Sequence, residues 1–236
     1  MNFLITGASR GIGAALAESA SSAGHTVLLV SRNNTRLARV AGKCNELAGR
    51  ELAHAIPFDL TELDHLQDEF ISLVKGIAGR VDAIVNNAGQ LINKPFVLVP
   101  PGDAREVFET NFFAPAFLIR TCLSLMAGSD LKHVVNITSM AGYQGSAKYP
   151  GLSYYSASKA ALGSLTECLA QELEDQGVKV NALAIGSVQT EMLAEAFPGL
   201  RAPLEPSQMA EYLLWFTLEG GKYFNGKVLP VSSSTP

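Results

Sequence analysis

The sequence predicts an α/β chain, one doubly wound unit over residues 1–236 with a seven-stranded, mainly parallel sheet and helices on both faces. Three observations carry that prediction. Short β-branched runs alternate with segments of helical periodicity along the whole chain. A glycine-rich turn separates the first such run from the first helix. No repeat or linker divides the 236 residues, and the 47% that are hydrophobic supply a substantial core.

Taken in order, Asn2–Thr6 is the first strand and Gly7-Ala8-Ser9-Arg10-Gly11-Ile12-Gly13 the turn. A helix follows with Ile12, Leu16, Ala20 and Ala23 on one face, and Gly24 stops it. Glycines in a strand–turn–helix let backbone amides approach a diphosphate, and the helix N-terminus adds partial positive charge. A turn that needs glycine only for its own geometry is the plain alternative. Thr26–Ser31 is the second strand. About twenty residues beyond the glycines an NAD-binding unit carries an acidic residue for the ribose hydroxyls. Here stand Ser31, Arg32 and Asn33, with Arg10 close by in the turn. Two guanidinium forks suit a 2′-phosphate, so the expected cofactor is NADP(H) in preference to NAD(H).

Thr35–Leu47 reads as helix and Glu51–Phe58 as strand, ending at Asp59-Leu60. Thr61 and Asp64 have the spacing of a cap for a helix reaching about Gly76. Ala83–Val85 is the fourth strand, followed by Asn86-Asn87-Ala88-Gly89. After the break at Pro100-Pro101-Gly102, Asp103 and Glu106 open a predicted long helix to about Met126 with Asn111 inside it. His133–Thr138 is a buried strand with Ser139 at its mouth. Val178–Ala184 is the sixth strand, and Gly186–Leu204 a loop with a helical piece over 190–197. Pro206 begins a helix to Leu218, Lys227–Val231 closes the sheet, and the tail from Ser232 is expected to fray.

The chemistry gathers on the helix after Ser139, where Ala160, Ala161, Leu165, Leu169 and Leu173 set the period. Tyr155 and Lys159 lie four apart near its start, so phenol and ammonium share a face one turn apart. A phenol holds its proton to about pH 10, and a nearby cation favours the phenolate. Such a pair can pass a proton near neutral pH, as carbonyl reduction or alcohol oxidation requires. Tyr223 and Lys227 repeat the spacing, but Asn225-Gly226 between them reads as a turn, so that pair is taken as structural.

Other classes fall away. A net charge of −4 with no basic cluster argues against nucleic acid as a partner. Cys44, Cys122 and Cys168 form no Cys-x-x-Cys and read as buried thiols, and His25, His54, His65 and His133 lack metal-ligand spacing, so no metal is expected. No apolar run reaches spanning length and Met1-Asn2 leads straight into a strand, so no membrane partner is expected and the cytoplasm is the expected compartment.

Together Thr6–Gly13, Asp59, Asn86–Gly89, Asn111, Ser139, Tyr155 and Lys159 resemble the short-chain dehydrogenase/reductase family over nearly the whole chain and in order. The cofactor motifs look like those of 3-oxoacyl-carrier-protein reductases and similar NADPH-dependent carbonyl reductases. The resemblance implies a Rossmann-type domain with the active site built in, moving hydride between nicotinamide and a ketone or aldehyde, or the corresponding secondary alcohol. It implies Tyr155 as general acid, Lys159 lowering the Tyr155 pKa and holding the nicotinamide ribose, Ser139 orienting the reacting oxygen, and Asn111 holding a relay water. It implies cofactor contacts from Gly7, Ser9, Arg10, Gly11, Ile12, Gly13, Arg32, Asp59, Leu60, Asn87, Ala88, Gly89, Tyr155, Lys159, Val188 and Thr190. It also implies a homo-oligomer, a homodimer or homotetramer, with helices 103–126 and 155–175 paired across a two-fold axis.

Departures from the family pattern stand beside the match. Ile185 replaces a proline before Gly186, and 16 residues from Ser139 to Tyr155 leave Gln144–Leu152 as an enlarged lip. The stretch from Thr190 to Pro206 is short, suggesting a small or open lid, and Pro230-Val231-Ser232-Ser233 replaces an acidic-glycine finish, which bears on how the last strand packs. Phe96, Met140, Tyr143, Tyr149, Met192 and Phe197 are candidates for an apolar substrate pocket, with acyl thioester, steroid, sugar-like and xenobiotic carbonyls all open. The rival readings are a catalytically silent NADP(H)-binding sensor or scaffold, and a dehydration or epimerisation on the same scaffold.

Overall fold

The computed structural model describes residues 1–62 and 67–233, and strands and helices alternate along them. They are β1 (Asn2–Thr6), α1 (Gly11–Ser22), β2 (Thr26–Ser31), α2 (Asn34–Ala48), β3 (Ala53–Pro57), α3 (Gln67–Ala78), β4 (Ala83–Asn86), α4 (Pro101–Phe108), α5 (Ala114–Met126), β5 (His133–Ser139), α6 (Ser153–Glu172), β6 (Lys179–Ile185), α7 (Glu191–Ala196), α8 (Pro206–Glu219) and β7 (Val228–Val231).

The seven strands form one sheet in the order β3-β2-β1-β4-β5-β6-β7, and every neighbouring pair is parallel. The chain steps outward from β1 to β3, then crosses back to the other side of β1 as β4. That reversal leaves a crevice at the carboxyl ends of β1 and β4, where open α/β sheets bind ligands.

Alternation along each strand sends side chains to two cores. Phe3, Ile5, Val27 and Leu29 pack with Leu16, Leu37, Leu213 and Phe216 from α1, α2 and α8. Leu4, Leu28 and Val30 pack with Phe70, Val74, Leu118 and Ala170 from α3, α5 and α6. Because both faces are covered, the strands read as continuous apolar runs. Each large side chain fully buried this way contributes about 1.5–3 kcal/mol. Caps fix the helix ends: Asn33 accepts from the Arg36 N–H at 2.9 Å, Gly49 closes α2 at φ 67°, and Glu205 with Gln208 forms a capping box on α8.

Several expectations change. The strand predicted over 51–58 is Ala53–Pro57, because Asn45 Oδ1 takes the Leu52 and Ala53 N–H groups at 2.8 and 2.7 Å. Thr61 caps nothing among the described residues. Its N–H and hydroxyl both donate to Asp59 Oδ1, at 3.1 and 2.8 Å, while Asp64 and His65 lie outside the described residues, as do Ser234, Thr235 and Pro236 of the tail. The helix expected from Asp103 starts earlier, on Pro101, and Asp103 pairs instead with Lys94 at 2.8 Å. Nor is it one α-helix to Met126: Glu109–Phe113 is a π turn between α4 and α5. The helix expected over 155–175 runs Ser153–Glu172. Of the three free thiols expected to be buried, Cys168 is exposed. The last strand does pack: Ala182–Ile185 of β6 pairs in register with Val228–Val231, Pro230 included. No helix among the described residues is long and apolar enough to cross a membrane.

Candidate active site

The glycine turn is built by close approach. Gly7 has φ 65°, and a Cβ there would stand 2.8 Å from Ala88 Cα, so the turn after β1 and the segment after β4 touch backbone to backbone. Thr6 joins them: its Oγ1 accepts the N–H groups of Asn87 and Ala88 at 3.0 and 2.9 Å. The Asn87 amide reaches back to the Thr6 carbonyl at 2.9 Å. A Cβ on Gly13 would meet Asn87 Nδ2 at 2.5 Å and the Gly7 carbonyl oxygen at 2.6 Å, so this glycine serves the packing of α1 onto the turn. The start of α1 carries no side-chain cap and no acidic residue in its first turn. Its first N–H groups are thus left to an anion.

Ser139 ends β5 and caps a short 3₁₀ turn over Met140–Gly142, its hydroxyl oxygen accepting from the Ala141 N–H at 3.1 Å. That turn lies directly on α6: a Cβ on Gly142 would fall 2.9 Å from Lys159 Cβ and 2.7 Å from the Ala160 nitrogen. The contact sets Ser139 against Tyr155. Burial pushes the Tyr155 phenol up from its ordinary range, and a hydrogen bond with Ser139 pulls the other way. Lys159, 4% exposed, donates to the Ile137 carbonyl at 2.9 Å, and burial drops its pKa to about 8. Tyr155 and Lys159 stand one turn apart on α6, and both line the same cleft.

Asn111 sits in the π turn, fully buried. Its Oδ1 accepts from the Gln90 N–H at 2.7 Å, and its Nδ2 donates to the Gln90 carbonyl at 2.9 Å and to Ser158 Oγ at 3.0 Å. The side chain clamps the loop after β4 onto α6. Gly89 lies at the meeting point, where a Cβ would stand 3.3 Å from Lys159 Nζ and 3.4 Å from Asn111 Oδ1.

At the other end of the crevice Arg10 is bound by Glu195 of α7, Nη1 to Oε1 at 2.6 Å. Arg32 lies 3.9 Å from Asp59, and the Ser31 hydroxyl donates to Ser9 Oγ at 3.0 Å. Thr190 caps α7, accepting from the Leu193 N–H at 3.2 Å. The lid expected to be small is a six-residue helix, but it is drawn down onto the cleft rim rather than open. Gly186 follows β6 without a proline and is anchored from its own N–H to the Val231 carbonyl at 2.8 Å.

One cleft of about 270 Å³ connects these parts. Its walls include Gly7, Ser9, Arg10, Gly11, Ile12, Arg32, Asp59, Leu60, Asn87, Ala88, Gly89, Tyr155, Lys159 and Thr190 of the residues singled out in the sequence. Gly13, Asn111, Ser139 and Val188 are not on those walls. Gly13 and Asn111 act through packing and clamping, and Val188 is core, bridged to Leu204. Of the substrate-pocket candidates Met192 lines the cleft, whereas Phe96 is 62% exposed and stacks on Tyr154 at 5.5 Å. Tyr223 and Lys227 flank a turn at Gly226, φ 68°, as their intervening Asn-Gly suggests. The sequence reading placed Thr6 in the glycine motif without giving it a role, and missed Gln90, Ser158 and Glu195. Ser158 adjoins Lys159 and Thr6 adjoins Gly7, but no local pattern ties Glu195 to Arg10, 185 positions away.

A dinucleotide fits these residues. The uncapped start of α1 and the Gly7–Gly11 turn offer backbone N–H groups to a diphosphate. Thr138 Oγ1, a buried hydroxyl of a cleft-lining residue, has no hydrogen-bond partner among the described residues. A parallel sheet with a glycine cradle at its reversal point, and tyrosine and lysine on the facing wall, defines a nucleotide-dependent oxidoreductase scaffold. The chain belongs to the short chain dehydrogenase family, whose model matches residues 2–200. It is 31% identical over 239 residues to a 3-oxoacyl-[acyl-carrier-protein] reductase of Aquifex aeolicus, covering 97% of this chain and 94% of that one. It superposes with a TM-score of 0.87 on a short chain dehydrogenase of Escherichia coli complexed with NADPH, at 29% identity and 97% and 95% coverage. A 3-ketoacyl-(acyl-carrier-protein) reductase of Brucella melitensis complexed with NADH gives 0.86, at 25% identity and 99% and 97% coverage.

Proposed function

We propose that the chain is an NADPH-dependent oxidoreductase acting between a ketone or aldehyde and the corresponding secondary alcohol, with Tyr155 as its general acid and base. The observation that carries the reading is Tyr155 and the buried Lys159 ammonium one turn apart on α6, both on the wall of a glycine-cradled cleft. When bound, the nicotinamide supplies or accepts the hydride.

The chain's own groups do the rest. The Tyr155 phenol, kept protonated by burial, gives its proton to the substrate oxygen as that oxygen gains negative charge. Ser139, fixed by the Ala141 N–H, donates to the same oxygen and orients it. Lys159, charged at neutral pH, would hold the nicotinamide ribose and place positive charge beside the developing alkoxide. Asn111 keeps Gly89 and Gln90 in place against Lys159 through its hydrogen bonds to Gln90 and Ser158. Arg10 and Arg32 select the 2′-phosphate.

A panel of carbonyl compounds followed by NADPH absorbance, with NADH in parallel, tests the reading. Tyr155→Phe is expected to lose roughly 10²-fold or more of turnover while NADPH binding holds within a few-fold. Undiminished turnover in that variant would refute the acid, and tight NADPH binding with no turnover across the panel would turn the reading to a silent binder.

A further inference from the structure

Arg10 meets Glu195 with both terminal nitrogens, Nη1 to Oε1 at 2.6 Å and Nη2 to Oε2 at 3.4 Å. Two oxygens of one anion on one guanidinium edge is also how arginine takes a phosphate. The lid helix α7 therefore presents, from its own side chain, the kind of anion that Arg10 would receive from a cofactor. The same end of α7 is tied a second time, by Asn93 Nδ2 donating to the Ala196 carbonyl at 2.9 Å. Arg32 differs: Asp59 stands 3.9 Å off and already accepts two hydrogen bonds from Thr61.

We propose that Glu195 is a selectivity residue of the cofactor site, acting through Arg10: its carboxylate occupies the arginine fork, and a ribose 2′-phosphate takes that fork only by displacing it. The inference rests on the NADP(H) reading and deepens it. The exchange is feasible because a phosphate brings more charge and three acceptor oxygens, while the Glu195 side chain, 64% exposed, can return to water. It is also a tax on the phosphorylated cofactor. The carboxylate competes for Arg10 and, once displaced, remains near the incoming phosphate as a like charge, with Glu191 beside it. An unphosphorylated dinucleotide leaves the Arg10–Glu195 pair in place, so the lid helix is released at this end by one cofactor and not by the other.

Calorimetric titration at low salt tests this with NADPH, NADH, adenosine 2′,5′-bisphosphate and 5′-AMP as ligands. Wild type is compared with Glu195→Gln and Glu195→Asp. Glu195→Gln is expected to bind NADPH and the bisphosphate about threefold or more tighter, with NADH and 5′-AMP within about twofold of wild type. Glu195→Asp, which keeps the charge, is expected to stay near wild type for all four. Equal tightening of phosphorylated and unphosphorylated ligands would overturn the inference. So would no change in Glu195→Gln when Arg10→Ala weakens NADPH, a result that leaves the NADP(H) reading intact. A wild type that does not tell the bisphosphate from 5′-AMP, and is unmoved by Arg10→Ala and Arg32→Ala, would remove both.

Discussion

Lys159 keeps its ammonium inside the protein with the Ile137 carbonyl 2.9 Å away, and burial brings its pKa to about 8. An unfolded lysine holds its proton to about pH 10.4. Between those values the folded chain releases the proton first, so the burial penalty is full below pH 8 and fades as pH rises. At neutral pH it is on the order of 3 kcal/mol, a cost accepted at the site for a charge beside the reacting oxygen. Tyr155 is shifted upward, so Lys159 is the first of the two to lose its proton. The expected kcat/KM for carbonyl reduction is therefore flat below about pH 8 and falls above it as Lys159 loses its proton. Steady-state rates across pH 6 to 10 check this, since kcat/KM reports the free enzyme's groups. At this scale the sequence was legible where spacing alone decides, as with Tyr155 and Lys159 one helical turn apart. It was not legible for the direction of the Tyr155 shift, which depends on how much water the cleft wall takes from the half-buried phenol.

The long helix predicted from Asp103 to Met126 shows the limit at the next scale. Hydrophobic periodicity finds the segment, but it does not register one extra residue per turn, and the π turn at Glu109–Phe113 escapes it. The turn brings Asn111 to Gln90 and Ser158 at once. Asn111→Leu should strand the half-buried N–H and carbonyl of Gln90 and the buried Ser158 hydroxyl, at up to about 1–3 kcal/mol for each unsatisfied group. We expect a loss of roughly 2–4 kcal/mol in urea unfolding together with reduced turnover, because Gly89 is released from Lys159. Failed cap predictions have a related cause. Asp103 has the right spacing but found a nearer partner in Lys94 once the chain folded, while the cap expected from Thr61 and Asp64 falls on residues outside the described ones. The glycine turn and the strands were readable because their signals are local. The clamp and the lid pair join segments that only the sheet brings together.

Across the whole molecule, seven parallel strands place all carboxyl ends at one rim and all amino ends at the other. His133 begins β5 at the second rim, fully buried, with Nδ1 2.9 Å from the Thr217 carbonyl and Nε2 3.1 Å from Asn181 Nδ2. Those partners make Nδ1 the donor and Nε2 the acceptor, and burial lowers the pKa to about 4. In the unfolded chain the ring protonates near 6.5, so this group's stabilisation is full above pH 6.5 and is lost as pH falls toward 4. It should account for about 2 kcal/mol of the stability lost between pH 7 and 5. Urea midpoints at the two pH values, with His133→Gln as the variant that flattens this limb, measure it. The same rim carries the beginning of β1, while β7, parallel to it, ends at the opposite rim, where Ser232 packs so tightly on Gly186 that a Cβ on that glycine would lie 2.5 Å from the hydroxyl oxygen. Cargo fused ahead of Asn2 would thus trail from the rim away from the cleft, whereas a side chain larger than serine at 232 would press on the segment that leads to α7.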